Sequence, residues 1–158
     1  MLSARDEIEE LIKVRNINRA NFYEASKFKY EQILRKIYYA FYNTEQKEMC
    51  MRLENQNFHS RFATRGETYT YRGTTGDDWE QYVDSLKHIL PNPEQKIYIG
   101  FPETKHVWLY EGELSETIEL LDYGSPIGEY GDFFLAAKDM QWFLYYFDDG
   151  EVMIYYQK

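Results

Sequence analysis

The chain has 158 residues, 44% of them hydrophobic and 28% charged, a balance that excludes a disordered chain and suits one globular domain over residues 1–158. No run reaches the roughly 20 apolar residues of a membrane span, and the start, Met1 to Glu7, has no apolar signal segment; a soluble, cytoplasmic protein with no membrane partner is expected. Net charge is −9, and residues 96–158 hold 12 acidic against 4 basic residues, while residues 1–60 hold 9 against 10.

Residues 4–15 place Ile8, Leu11 and Ile12 at helical spacing, with Ser3 as N-cap. A second helix is expected from about Asn18–Asn21. Its apolar face is Tyr30, Ile33, Leu34, Ile37, Tyr38 and Phe41. A helix over Glu45–Leu53 follows, then a glycine- and threonine-bearing loop over 55–76 with a short strand at Thr68–Arg72. Asp77 and Glu80 have capping-box spacing and open a helix with Trp79, Tyr82, Val83, Leu86 and Leu90 on one face. Pro91 and Pro93 stop it. Residues 1–93 are thus mainly helical.

The pattern changes after Pro93, and residues 94–158 read mainly as strands. Lys96–Phe101 and His106–Glu111 form a hairpin across Pro102–Lys105. Ser115–Leu121 is a short helix with Ile118 and Leu121 inward. Phe133–Lys138, Gln141–Asp148 and Glu151–Gln157 are strands, with turns at Asp139-Met140 and Asp149-Gly150, the latter a two-residue type I′ signal. That turn sets Asp148 against Glu151 and Leu144 against Tyr155. It gathers Trp142, Leu144, Tyr146, Met153 and Tyr155 on one face. Helices followed by strands define the expected class, α+β, with N-terminal helices packed on a mainly antiparallel C-terminal sheet.

Catalytic patterns are thin. His59, His88 and His106 lie far apart and Cys50 is alone, so neither a metal site nor a cofactor is expected. No P-loop, Gly-x-Ser-x-Gly or Gly-x-Gly-x-x-Gly is present. Tyr71-Arg72-Gly73 and Glu111-Gly112-Glu113 look like two elements of an ADP-ribosyltransferase, with Arg72 for a pyrophosphate and Glu113 for a ribose hydroxyl. The Ser-Thr-Ser element between them is missing, which makes an enzyme the alternative reading. A third reading is a small-ligand binder with Trp108 and Trp142 as pocket walls.

The run Tyr98-Ile99-Gly100-Phe101-Pro102, then Val107-Trp108-Leu109-Tyr110-Glu111, a short helix, Phe133–Lys138 and Trp142-Phe143-Leu144 resembles small uncharacterised bacterial proteins similar to polymorphic-toxin immunity proteins. The resemblance covers about residues 96–158 and implies no catalytic residues. With the acidic C-terminal half, which repels nucleic acid, it points to a non-enzymatic bacterial protein-binding module, an immunity-type inhibitor of a basic protein partner. The contact residues expected are the acidic positions Glu111, Glu113, Asp148, Asp149 and Glu151, with Tyr146 and Tyr155 as anchors. The 16 tyrosines exceed what a core that must satisfy every hydroxyl can readily take in.

Overall fold

A computed structural model describes residues 3–41, 67–70, 90, 92–103, 106–122, 133–146 and 151–156. The helices expected over Glu45–Leu53 and Asp77–Leu90 fall on residues outside these, apart from Leu90 itself, which is buried.

Helix α1 spans Ala4–Val14. The Ser3 hydroxyl accepts from the Asp6 amide at 3.1 Å, and the Asp6 carboxylate accepts from the Ser3 amide at 3.2 Å. This reciprocal pair satisfies two of the donors that a helix start leaves open. At the other end Asn16 takes a left-handed φ of 53°, and the Ile17 amide donates to the Ile12 carbonyl at 3.0 Å, closing the helix as a Schellman turn does.

The chain from Asn18 does not start a helix. The Asn18 side-chain oxygen accepts from the Ala20 amide at 2.9 Å and its carbonyl from the Asn21 amide at 3.0 Å, so Asn18 makes a turn rather than a helix cap. Strand β1, Phe22–Glu24, follows. Helix α2 begins only at Lys27 and runs to Phe41, with the expected six side chains buried.

The remaining elements are β2 (Glu67–Thr70), β3 (Lys96–Glu103), β4 (His106–Glu113), α3 (Leu114–Asp122), β5 (Phe133–Ala137), β6 (Trp142–Tyr146) and β7 (Glu151–Tyr156). The strands form one sheet in the order β1-β4-β3-β5-β6-β7-β2. Every pairing is antiparallel. Pairing between β3 and β4 continues to Glu103 opposite His106, so the hairpin is tighter than the linker Pro102–Lys105 expected from sequence. Pro102 is tolerated there because β5 pairs with β3 only as far as Gly100, leaving Pro102 without a ladder bond to supply on that side.

Alternation sorts the sheet's side chains into two cores. Ile97, Ile99, Phe101, Tyr110, Phe133, Leu135, Leu144, Tyr146 and Ile154 pack with α1 and α3. Tyr98, Val107, Leu109, Phe134, Ala136, Phe143, Tyr145 and Tyr155 pack with α2. The sheet is therefore covered on both faces, which is why β5 and β6 read as continuous apolar runs. The expected α+β class describes this arrangement, with β1 and β2 as the additions that the N-terminal half makes to the two sheet edges.

The β6–β7 register differs from the expectation. Leu144 lies opposite Ile154 and Tyr146 opposite Val152. Five residues separate that last pair, and a two-residue loop closing a regular ladder leaves an even number. A slip of one position sends every side chain of a strand to the other face. Tyr146 and Tyr155 consequently face opposite cores.

Candidate functional site

Of the expected contact residues, the four whose side chains are described, Glu111, Glu113, Tyr146 and Tyr155, do not converge on one surface. Glu111 is buried, and its Oε1 accepts from Lys138 Nζ at 2.6 Å and from the Tyr23 hydroxyl at 3.0 Å. Glu113 is held by Lys96 Nζ at 2.8 Å. Tyr146 and Tyr155 are 4% and 3% exposed, so they are core side chains rather than accessible anchors. Tyr146 stacks on Phe133 with ring centres 4.8 Å apart, and Tyr155 meets Phe143 at 6.0 Å. Glu151 begins β7, opposite Thr70. Asp148, Asp149 and Arg72 lie outside the described residues.

Among the described residues one ion pair joins the two halves of the chain. Arg15, at the end of α1, pairs with Glu119 of α3 at 2.9 Å. Together with Lys96–Glu113 and Lys138–Glu111, this sets three acids of the C-terminal half against cations. Lys96 and Lys138 belong to the C-terminal half themselves, so only the Arg15–Glu119 pair sets an acid of that half against a cation of the N-terminal half.

Two polar networks border β1. On one face Tyr23, Glu111, Tyr98 and Lys138 gather, because Tyr23, Glu111 and Tyr98 are register partners across β1, β4 and β3. Lys138 Nζ lies 5.3 Å from the centre of the Tyr98 ring. Burial pushes the Tyr98 hydroxyl above its usual pKa, and the Glu111 carboxylate does the same to Tyr23. At the strand's end, Glu24 accepts from Arg5 Nε at 2.7 Å and from the Tyr30 hydroxyl at 3.1 Å, joining α1 to α2 around the sheet edge. Burial pushes Tyr30 up to about 12.

Deeper on the α1 side, the Tyr110 hydroxyl donates to Glu9 at 2.9 Å, and Arg19 reaches the other Glu9 oxygen at 2.8 Å. Burial raises the Tyr110 pKa strongly. Burial also works to raise that of Glu9, but the bonds from Arg19 and Tyr110 outweigh it and hold the carboxyl below its usual range. Each of these carboxylates is neutralised by a cation. Among the described residues no three His, Cys, Asp or Glu side chains converge as metal ligands would.

The two tryptophans are separated as well. Trp142 is buried and donates to Gln95 Oε1 at 3.2 Å. Trp108 is partly buried, with Lys27 Nζ 5.9 Å from its ring centre. Strands β3 and β5 stand between the two.

Among the described residues, the large apolar side chains exposed to solvent are Val14, Tyr23 and two on α2. On α2, Phe28 is 96% exposed and Tyr39 is 54% exposed. At about 100° per residue, Phe28, Gln32, Arg35 and Tyr39 fall within a stripe roughly 60° wide, and Lys29 and Lys36 flank it. Lys27, Lys29, Arg35 and Lys36 face solvent with Glu31 as the helix's one acid. This is a basic, aromatic face on an acidic protein. The periodicity that marks α2 in the sequence is that of its buried stripe, Tyr30 to Phe41, and says nothing of the outer face. Two aromatics spaced eleven apart on the opposite face were the available signal.

These features define an α+β protein with a seven-stranded antiparallel sheet covered on both faces and a basic aromatic helix turned to solvent. The chain belongs to a family of unknown function, DUF6756, which matches it over residues 1–158. No curated protein and no solved structure matches it. No helix among the described residues is long and apolar enough to cross a membrane.

Proposed function

We propose that the protein is a non-enzymatic, cytoplasmic protein-binding module whose contact surface is the outer face of α2. The observation that supports this is the exposure of Phe28, 96%, on the same stripe as Tyr39. A phenylalanine in water forgoes the roughly 2 kcal/mol that burial of such a side chain supplies, and a partner recovers it. Aromatic side chains and arginine are the residue types that dominate contact energies. Affinity capture from the native host, with wild type and the Phe28→Ala/Tyr39→Ala variant as baits, tests this. One protein retained by wild type and lost from the double variant, with thermal stability unchanged, is expected. Retention of the same proteins by both baits overturns it.

The net charge of −9 favours a second reading, an immunity-type inhibitor that meets a basic partner through Asp148, Asp149 and Glu151. Its mark is slower association when these three are changed to Lys, with a weaker salt dependence.

A further inference from the structure

The outer face of α2 also carries information about what it binds. Phe28 and Tyr39 sit near the two ends of the helix, about 16 Å apart along its axis at 1.5 Å per residue. Arg35 lies between them on the same line, and Lys29 and Lys36 run along one side. All five side chains are exposed. Arg35 gives an Nη2 hydrogen to Glu31 one turn earlier, which fixes the guanidinium against the helix. Its planar fork has five N–H groups, so this single bond leaves directional capacity for another carboxylate.

The helix carries four cations and one acid, +3, while the whole chain carries −9. The basic face is therefore a local reversal of the protein's field rather than an extension of it. The buried side of the helix needs none of these cations, since Tyr30, Ile33, Leu34, Ile37, Tyr38 and Phe41 hold it to the sheet.

We propose that this face docks an acidic segment of a protein partner, with carboxylates against Lys29, Arg35 and Lys36 and apolar side chains against Phe28 and Tyr39. The inference rests on the protein-binding reading and names the chemistry of the partner. A nucleic acid fits less well. Its affinity grows with the number of phosphates neutralised, the stripe offers few cations, and a net charge of −9 repels a long polyanion. A second copy of the chain fits less well too. A basic helix on one copy against acids elsewhere on the next is a head-to-tail contact, which closes only if its rotation allows.

The test is a random-peptide display selection on the intact protein, counter-selected against the Lys29→Gln/Arg35→Gln/Lys36→Gln variant. These positions are exposed, so the variant keeps the fold, which circular dichroism and thermal unfolding verify. The selected peptides are expected to be rich in Asp and Glu around aromatic or aliphatic residues. Fluorescence anisotropy should show each bound at least about tenfold more weakly by the triple variant and by Phe28→Ala, and weakened by salt.

Peptides that depend on Phe28 but not on the three cations, or that carry no acidic bias, overturn the acidic partner and leave the protein-binding reading standing. An absence of peptides sensitive to any α2 substitution overturns both. Tighter charge-dependent binding of single-stranded DNA or of phosphatidylserine vesicles than of the selected peptides overturns the inference in favour of those ligands.

Discussion

Lys138 Nζ lies 2.6 Å from Glu111 Oε1, just past the end of β5 and over the Tyr98 ring. The pair joins the β5–β6 turn to β4 across the intervening β3. Glu111 is nearly enclosed while Lys138 is partly exposed, so the two ends of the bond are not equal. Among the described residues, removing the lysine leaves the carboxylate with the Tyr23 hydroxyl as its hydrogen-bond donor.

Lys138→Met should therefore cost about 1–3 kcal/mol in urea unfolding. Glu111→Gln should cost less, because the amide still bonds Tyr23. The Glu111→Leu/Lys138→Leu double variant should regain part of the Lys138→Met loss, since no buried charge is left unpaired. Strict additivity of Glu111→Leu and Lys138→Leu, measured singly and together in a double-mutant cycle, would show that the pair is not coupled.

Two glycines predict different kinds of damage. A Cβ at Gly100 would stand 2.1 Å from the Phe134 ring, and one at Gly112 would stand 2.2 Å from the Asn21 carbonyl oxygen and 2.7 Å from the Phe22 Cα. A ring can be shortened, whereas backbone cannot. Gly100→Ala should cost about 1–3 kcal/mol, partly restored by Phe134→Leu. Gly112→Ala should push β1 off β4, seen as faster amide exchange at Phe22–Glu24, and no change at Phe134 should rescue it. Rescue of both by Phe134→Leu would contradict this account.

Much of this architecture is legible in the sequence, and the failures have local causes. The α1 cap at Ser3, the buried face of α2 and the strands after Pro93 follow from periodicity and turn chemistry. Strand β1 does not, because three residues are too few for a period, and Asn18 suits a helix cap and a turn equally well. The β6–β7 register is not legible, because Trp142–Tyr146 is apolar at every position and no alternation marks which side chains share a face. The ion pairs were invisible for a different reason. Arg15 and Glu119 meet only after the fold brings sequence-distant segments together.

Burial of Tyr146 and Tyr155 reverses the behaviour expected of contact anchors. Tyr146→Ala and Tyr155→Ala should each lower stability by about 3–5 kcal/mol, as loss of a buried aromatic does. Phe28→Ala should leave stability within about 0.5 kcal/mol of wild type. Thermal unfolding of the three variants in parallel checks this. A Tyr146→Ala protein as stable as wild type would place that side chain outside the core.

Titration should unfold the protein from both ends of the pH scale. On the acid side, Glu9 has a folded pKa held below its unfolded value of about 4.3. Its stabilisation is present above that value and is lost as pH falls through the folded pKa. On the alkaline side, Tyr30 stands at about 12 and Tyr110 is also raised, mainly because burial opposes their charged forms. Their contribution is complete below the unfolded tyrosine value of about 10 and is lost as pH rises from there towards the folded values. Tyrosinate absorbance should therefore rise in two parts: a gradual one near pH 10 from exposed tyrosines, then a cooperative one coincident with loss of circular dichroism. Tyr30→Phe should cost about 1 kcal/mol at neutral pH, through the lost bond to Glu24, yet move the alkaline transition to higher pH. A single gradual titration near pH 10 with the fold intact would mean that these hydroxyls are not enclosed as described.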